Sequence, residues 1–340
     1  MYPNICLRAG GAIEVETSMT GLSRLSFSRR DFLKVSALAA GSLFLKSHPA
    51  GNPDLLERVQ KYGIAGRIPA LEFHGDNYYM YNGAYCMNPA TFKLLMEWLQ
   101  ENEVWAVTAN DLVGYLSGQV DLPARSIILT TDSGAVSQTS LARMVPVLQD
   151  TGMHFISFIW TRNMGADESV TCQGDACWNA FRLARDSGTF SFGSHSETHR
   201  DLALLSKKEG MNDLLTSRKK IEDALGISPR FLSWPFESVP SWAPDLQEIG
   251  FMGAFAGGGS RKNMQANVVL PSDPSPWDLP RVLPPNIGTL TSGRPVGKTL
   301  AQMMEMFTDG FGAELQAYQE RMESFNRIGR STSRLIHYPR

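Results

Sequence analysis

From about residue 66, short apolar runs alternate with amphipathic stretches, and turn residues stand at each switch. This alternation predicts a parallel α/β architecture, in which each helix returns the chain to the start of the next strand. We predict strands at 68–73, 126–130, 153–160, 189–193, 230–234 and 251–255. We predict helices at 88–98, 111–116, 141–149, 176–185, within 207–225 and at 243–249. The regular alternation favours a barrel over an open sheet, although the pattern alone leaves both open.

The size and charge of the chain narrow the function classes. Its 340 residues suffice for one large α/β barrel with extra segments, or for two modest domains. The formal net charge is −2, and no long basic block marks a nucleic-acid surface. Neither a dinucleotide-type Gly-x-Gly-x-x-Gly fingerprint nor a phosphate-binding Gly-x-x-x-x-Gly-Lys loop is present. The composition therefore indicates an ordinary globular protein without a nucleic-acid partner.

The first 50 residues resemble an export signal rather than part of the fold. Residues 28–34 match the S-R-R-x-F-L-K pattern of twin-arginine signals, and a weakly apolar run follows at 35–45. An amphipathic surface helix with a chance arginine pair is the alternative. The run is too short to predict a membrane span, but a poor cleavage site near Ala50 leaves an uncleaved anchor open. We expect export to the periplasm, the extracellular space or the envelope membrane, with the residues before Met19 disordered.

Four cysteines allow at most a small disulfide framework. Cys172 and Cys177 flank a short polar loop, and in an oxidising compartment they could form a disulfide or remain two free thiols. Cys86 has no evident partner, and Cys6 lies in or before the signal. No second closely spaced pair of cysteines exists, which argues against a zinc ribbon.

Titratable residues follow several of the predicted strands. His74 follows strand 68–73, Asp132 follows strand 126–130, and His195 and His199 follow strand 189–193. In (β/α) barrels the carboxyl ends of the strands form one rim, where catalytic groups converge. Two histidines four residues apart can bind one metal ion, although surface or core histidines with the same spacing arise by chance. We therefore predict an active site with a metal ion at this rim.

At these positions the sequence resembles the polysaccharide deacetylases that share the NodB homology domain. It is most similar to a circularly permuted branch that includes bacterial poly-N-acetylglucosamine deacetylases, in which the strand with the catalytic histidine comes first. The resemblance runs from about residue 68 to 284 and implies a distorted (β/α) barrel. Five segments carry it in the expected order: 68–75, 122–134, 195–199, 233–236 and 279–282.

The resemblance implies a role for each rim residue. His195 and His199 would hold a divalent ion, with zinc as the first choice and cobalt or nickel as alternatives. Asp132 would be the general base that activates water, and His74 the general acid that protonates the departing amine. The backbone N–H of Phe236 would bind the oxyanion, a contact that needs no side chain.

Two positions depart from the family pattern. Ser133 stands where the family has a metal-binding aspartate, and a neutral hydroxyl is the weaker ligand. Asp132 could then bind the metal, a water could fill the position, or hydrolysis could be lost. Ser233 stands where non-permuted relatives carry an arginine against the catalytic aspartate. Arg281, in the late matched segment, could supply that charge instead.

The turn at 233–236 brings aromatic residues near the predicted site. Trp234, Pro235 and Phe236 are candidates for binding the oxyanion or the substrate, because aromatic rings at a barrel rim commonly line sugar sites. The alternative for Trp234, Phe236 and also Trp242 is ordinary core packing.

Other polar residues near the motifs have simpler interpretations. Glu197 and Asp201 flank the histidines, and we expect both to be solvated, although either could replace the missing metal ligand. His337 mimics the last histidine motif of non-permuted relatives, but His74 fills that role better, so we assign His337 to the tail.

We divide the chain into a disordered start with the signal at 1–50, a linker at 51–66, a deacetylase-like domain at 67–284 and a peripheral, helical C-terminal extension at 285–340. The first functional hypothesis is an exported, metal-dependent enzyme that removes N-acetyl groups from an N-acetylglucosamine polymer, acting as a monomer. The second is a catalytically impaired homologue that binds glycan without cleaving it, because of Ser133. A hydrolase of non-sugar amides is a third possibility.

Overall fold

The computed structural model describes residues 5–7, 13–15, 53–74, 89–132, 138–162, 175–257, 267–285, 288–289, 295–296 and 299–312. The chain divides into two compact units, 1–54 and 55–340. In the first unit, strand β1 (Ile5–Leu7) pairs antiparallel with strand β2 (Ile13–Val15), in a segment that we expected to be disordered. Within the described ranges, no helix has the length and apolar character that a membrane crossing requires.

The remaining elements alternate as the sequence predicts. They are, in chain order, α1 (Pro53–Tyr62), β3 (Ala70–Phe73), α2 (Pro89–Glu101), β4 (Trp105–Ala106), α3 (Ala109–Leu116), β5 (Ser126–Asp132), α4 (Gln138–Thr151), β6 (Phe155–Ile159), α5 (Asp175–Asp186), β7 (Phe190–Ser194), α6 (Lys207–Leu225), β8 (Phe231–Ser233), β9 (Gly253–Ala256), β10 (Leu279–Pro280), β11 (Gly288–Thr289), β12 (Pro295–Val296) and α7 (Leu300–Met304). Among the described residues, short 3-10 helices lie at Leu202–Leu204, Pro235–Glu237 and Ala243–Ile249. The last of these was predicted as an α-helix.

The main sheet is parallel and nearly closes into a barrel. Its strand order is β10-β9-β8-β7-β6-β5-β3. The short strand β4 lies off this path and pairs with the first two residues of β5. Leu71 of β3 forms a parallel bridge with Val282, just after β10, so the first and last strands approach each other. The backbone bonds of this closure, Glu72 N–H to Val282 O and Val282 N–H to Ala70 O, are both 2.9 Å long. The predicted (β/α) barrel is confirmed.

Local sequence signals explain the best-defined helix, α6. Ser206 and Glu209 form a reciprocal capping box at its start, which satisfies backbone N–H groups that have no partner within the helix. Gly226 ends it in the left-handed conformation, with φ of 66°, where glycine has no steric penalty. The predicted bounds 207–225 are therefore confirmed.

Two segments at the edges of the predicted domain pack against it. Residues 51–66, predicted as a linker, include α1, whose Arg58 side chain donates to the Glu103 backbone oxygen. Residues 299–312, predicted as part of a peripheral extension, bury apolar side chains in the largest hydrophobic cluster: Leu300, Met303, Met304, Met306, Phe307 and Phe311. These residues recur at mostly helical spacing, and burying them removes a large apolar area from water.

Candidate active site at the barrel mouth

The carboxyl ends of the parallel strands bring most of the predicted residues to one mouth of the barrel. Asp132 ends β5, His195 follows β7, and Arg281 follows β10. Asp132 Oδ2 lies 3.8 Å from His195 Nε2, and Arg281 binds Asp132 directly. His74 follows β3, which pairs with β5, and its imidazole lies 3.8 Å from the Glu72 carboxylate. The acid, the base and the histidine pair predicted from sequence therefore belong to one site.

A fully buried arginine organises the acidic side of this site. Arg281 donates to Asp132 Oδ1 at 2.7 Å and to Asp132 Oδ2 at 3.0 Å. It also donates to Glu72 Oε1 at 3.0 Å and to Ser233 Oγ at 2.8 Å, and the Ser233 hydroxyl donates to Asp132 Oδ2 at 3.2 Å. Bidentate pairing of this kind fixes a carboxylate in place as well as stabilising its charge. Arg281 thus occupies the role that Ser233 cannot fill.

Burial raises the pKa of a carboxylate and the charge of Arg281 lowers it, and a different one of these effects dominates at Asp132 and at Glu72. Burial alone would raise the pKa of Asp132, but the charges of Arg281 and His195 and the hydrogen bonds from Arg281 hold it well below its usual range. For Glu72, burial outweighs the attraction of Arg281, and the nearby charge of Asp132 adds to it, so the pKa rises to about 7. Asp132 therefore stays ionised over the physiological range, while Glu72 titrates near neutrality.

Glu72 lies in the site, although sequence reasoning did not single it out. Its side chain lies in the mouth, 4% exposed, between Arg281 and His74. The signal was present: Glu72 is a charged residue inside an otherwise apolar strand, two positions before His74. Because side chains alternate along a strand, positions 72 and 74 point to the same face.

The two histidines of the motif face each other. His195 Nδ1 lies 2.9 Å from the Ser233 backbone oxygen, which can only accept, so Nδ1 carries the proton and Nε2 presents a lone pair. Burial lowers the pKa of His195 to about 4, despite the opposing charge of Asp132, so its ring is neutral. The Nε2 atoms of His195 and His199 are 3.1 Å apart. Two nitrogens bound to one tetrahedral zinc ion lie about 3.3 Å apart, so the pair fits such an ion.

A second group of side chains could also hold a cation. Ligand atoms of Glu72, His74 and Asp132 all lie within 4.8 Å of one another. Arg281 already pairs with both of these carboxylates, however, and a divalent ion would have to compete with the guanidinium. The histidine pair, whose ligand atoms would be imidazole nitrogens, therefore stays the predicted metal site.

His74 sits beside the carboxylates at the edge of the mouth. Burial lowers its pKa, against the attraction of Asp132, so the resting imidazole is neutral and its protonated form is a stronger acid than usual. Such a group can deliver a proton readily to a poor leaving group.

The turn after β8 divides the predicted substrate-binding residues. Phe236 has φ of 58° and ψ of 18°, a left-handed conformation that is rare for a bulky residue, and its ring is 65% exposed. Its ring centroid lies 5.0 Å from that of His199, on which the Trp160 ring also packs at 4.6 Å. Trp234 is only 1% exposed, and its indole N–H donates to the Trp277 backbone oxygen. Its ring therefore cannot stack on a sugar.

The structure also places four other residues that the sequence analysis named near the motifs. Pro235 is buried, as is Trp242, which packs edge-on against Trp234. Glu197 was expected to be solvated but is 8% exposed, and it accepts hydrogen bonds from Thr161 at 2.6 Å and Lys220 at 2.8 Å. The Asp201 side chain accepts from the Ala203 N–H and caps a 3-10 helix.

Other predicted residues lie outside the described ones: the twin-arginine segment, Cys86, Ser133, Cys172 and His337, together with the side chain of Cys177. The metal role of Ser133 and the disulfide therefore stay predictions.

Comparisons with known proteins agree with this architecture. The family model described as polysaccharide deacetylase matches residues 119–251, which include Asp132, His195 and His199. No curated protein matches the chain significantly in sequence. Similar solved structures include IcaB from Ammonifex degensii (21% identity, 66% of this chain and 93% of that chain, TM-score 0.54).

Two further structures have the same barrel. One is the Streptococcus pyogenes deacetylase PplD in complex with acetate (14% identity, 63% of this chain and 91% of that chain, TM-score 0.53). The other is a de-N-acetylase from Aggregatibacter actinomycetemcomitans (18% identity, 67% and 98%, TM-score 0.51). At these identities the likeness establishes the fold, and the assignment to the permuted branch stays a prediction.

Proposed function

We propose that this chain is a metal-dependent N-deacetylase. Residues 119–251 match the model of the polysaccharide deacetylase family, whose members hydrolyse carbon–nitrogen bonds other than peptide bonds. The substrate of this chain would be a polysaccharide that contains N-acetylglucosamine. One observation carries the proposal: the facing Nε2 atoms of His195 and His199 lie beside the ionised carboxylate of Asp132, at one barrel mouth.

The histidine pair would hold a divalent ion, with zinc as the first choice and cobalt or nickel as alternatives. Such an ion supplies Lewis acidity, which polarises a carbonyl and makes water more acidic. Ser133, the following residue in the family motif, is the remaining predicted ligand. The Ser233 backbone oxygen keeps the His195 Nε2 lone pair available by binding the proton on Nδ1.

Asp132 would accept a proton from the attacking water. The carboxylate is ionised, its orientation is fixed by two bonds to Arg281, and its Oδ2 faces the histidine pair. A fixed, ionised base near the nucleophile needs no rearrangement when the proton moves. The water oxygen then forms a bond to the acetamide carbon.

His74 would complete the reaction at the leaving group. The proton that Asp132 has taken from the water would pass to the neutral His74, and the resulting imidazolium would donate it to the amide nitrogen as the carbon–nitrogen bond breaks, which releases acetate and a free amine. The backbone N–H of Phe236 would stabilise the negative oxygen of the tetrahedral intermediate. Hydrolysis consumes one water for each acetamide.

Location and partners are proposed from the sequence pattern. The twin-arginine-like segment supports export to the cell envelope, where polysaccharide substrates are found. Retention at the membrane through an uncleaved segment and a monomeric state are part of the same proposal.

The test is acetate release from chito-oligosaccharides by the purified full chain, with and without added Zn²⁺ or Co²⁺. We expect metal-stimulated release, and Asp132→Asn should lower kcat/KM by about 10² to 10⁴-fold because the base is lost. Asp186→Asn, an exposed carboxylate paired with Arg185, is the matched control and should leave the rate unchanged.

The competing function is glycan binding without cleavage. If the metal-loaded chain binds oligosaccharide but releases no acetate, while Ser133→Asp creates activity, the catalytically impaired reading replaces the proposal.

A further inference from the structure

The loop that carries the two histidines has an unfavourable backbone conformation. Ser196 has φ of 66° and His199 has φ of 54°, so two non-glycine residues among five are left-handed. Such residues persist only where the surrounding structure holds them. The position of the His199 ring relative to His195 therefore depends on what holds this loop.

Part of the support comes from side chains within the loop region itself. The Ser194 hydroxyl accepts a hydrogen bond from the Ser196 N–H at 3.1 Å. The Ser196 hydroxyl accepts from the His199 N–H at 2.9 Å. These bonds define the turn but do not attach it to the rest of the barrel.

Residues just after β6 attach the loop on one side, where Thr161 N–H donates to the Ser196 backbone oxygen at 3.2 Å and the Trp160 indole N–H donates to that of Glu197 at 3.0 Å. On the other side the attachment is a polar stripe on α6. Asp213, Ser217 and Lys220 are spaced four and three residues apart, so they share one face of the helix. Asp213 Oδ1 accepts from the backbone N–H groups of Glu197 at 2.7 Å and Thr198 at 3.4 Å. Its Oδ2 accepts from the Thr198 hydroxyl at 2.5 Å. One carboxylate thus binds three donors from Glu197 and Thr198, two of the three residues between the histidines.

The other members of the stripe reinforce this attachment. Ser217 shares a 2.7 Å hydrogen bond with the Ser194 hydroxyl, which itself supports the turn. The Lys220 ammonium donates to Oε1 of the Glu197 carboxylate, and the Thr161 hydroxyl donates to the other oxygen, Oε2. Asp213 and Ser217 are 8% and 0% exposed, on a helix face that would ordinarily be apolar. A buried carboxylate is costly unless its hydrogen bonds repay the loss of water, and here those bonds all go to the loop.

We propose that Asp213 is a positioning residue for the metal site: it holds the 195–199 loop so that the two Nε2 atoms stand at metal-binding separation before any ion arrives. The inference rests on the proposed metal role of His195 and His199. Asp213 touches neither the ion nor the substrate. Outer groups that orient metal ligands typically change metal affinity by about 10 to 100-fold when they are removed.

The test compares Asp213→Ala with Asp223→Ala in the full chain. Asp223 lies on the same helix, exposed, in an ion pair with Lys219, so it matches the charge change without touching the loop. Zn²⁺ affinity is measured by competition with a chromophoric chelator, and the visible spectrum of bound Co²⁺ reports ligand geometry. We expect Asp213→Ala to weaken Zn²⁺ binding about 10-fold or more and to alter the Co²⁺ spectrum. Asp223→Ala should do neither.

A graded variant protects the test against misfolding. Asp213→Asn keeps an oxygen that can accept from the Glu197 N–H, so its Zn²⁺ affinity should lie between wild type and Asp213→Ala. Thr198→Val removes one of the three donors and should weaken binding less than Asp213→Ala. Equal Zn²⁺ affinities and Co²⁺ spectra in wild type and all three variants would overturn the inference. A wild-type chain that binds no metal would instead contradict the proposed function.

Discussion

The two ends of strand β5 both hold a buried arginine paired with a carboxylate, yet they serve different purposes. At the carboxyl end, Arg281 binds Asp132 in the mouth of the barrel. At the amino end, Arg125 pairs with Asp309 and lies between two aromatic rings, 4.2 Å from the Tyr62 centroid and 4.3 Å from that of Phe311.

The difference lies in what surrounds each ion pair. Arg125 connects α1, the start of β5 and the C-terminal segment, and the aromatic faces cover its guanidinium, so the pair contributes to stability. Arg281 is enclosed by polar groups that converge from separate strand ends, and its partner carboxylate also faces the histidine pair. The same chemistry therefore supports the fold at one end of a barrel strand and, in our proposal, the reaction at the other.

The largest effect is expected from Arg281→Met. Without the guanidinium, burial dominates at Asp132 and its pKa rises, so the acidic limb of the kcat/KM profile moves to higher pH. We expect kcat/KM at neutral pH to fall about 10² to 10⁴-fold, and unfolding free energy to fall by about 3 to 5 kcal/mol because two carboxylates lose their partner. Arg281→Lys keeps the positive charge but cannot pair with both oxygens of Asp132 in the bidentate geometry, so its kcat/KM and its unfolding free energy should be intermediate. An acidic limb unmoved in both variants would break the distinction between the two ends.

Arg125→Met should show the opposite pattern. The loss of the Asp309 pair and of both aromatic contacts should lower the free energy of unfolding by about 2 to 4 kcal/mol. Well below the melting temperature, kcat/KM should stay within about twofold of wild type, because activity depends on the other end of β5. Urea titration and initial rates measure the two quantities. A large loss of activity in the folded variant would contradict the comparison.

Glu72 sharpens the comparison through pH. Its folded pKa of about 7 lies above the value of an unfolded glutamate, so the folded state binds more protons between about pH 4.5 and 7. The contribution of Glu72 to the stability of the metal-free chain should therefore fall as pH rises through this window, by up to about 3 kcal/mol. His195, whose pKa is lowered to about 4, contributes a slope of the opposite sign, so the measured quantity is the difference in unfolding free energy between wild type and Glu72→Gln. Glu72→Gln should remove this dependence and be the more stable protein at pH 8. Parallel stability curves for the two proteins would show that Glu72 does not titrate in this way.

The smallest effect is expected at Phe236. Its ring is exposed, so Phe236→Ala should change the free energy of unfolding by about 0.5 kcal/mol or less. The backbone N–H remains, so kcat should be nearly unchanged while KM rises a few-fold. A collapse of kcat with an unchanged KM would assign the ring, rather than the backbone, to the reaction.

Part of the site could be predicted from the sequence, because strand ends and motif order are visible there. Strand-end residues such as Asp132 and His195 were predictable, because parallel strands end at the same rim and the motif order matches a family. Arg281 was predicted as a partner of Asp132, and the structure places its guanidinium there. Glu72 was missed because it was taken as part of an apolar strand, although its charge contradicted that reading.

Other features depend on tertiary contacts that no local pattern reveals. Asp213 stands in a correctly predicted helix, but its partners lie 15 and 16 residues away in the histidine loop. Trp234 was a reasonable substrate ligand by position, and only packing shows that it is enclosed. The Leu300–Phe311 residues had a helical apolar pattern, yet which surface they would cover could not be known before the barrel was assembled.

The central claim is that one ion, held by His195 and His199 beside Asp132, makes this barrel mouth an amide hydrolase. Its most direct test is to titrate Zn²⁺ into the metal-free full chain while measuring acetate release from chito-oligosaccharides. The account predicts one bound ion per chain and a rate of acetate release proportional to metal occupancy. In His195→Ala, both metal binding and acetate release should be lost. Acetate release at an undiminished rate by the metal-free chain, or none at full occupancy, would contradict it.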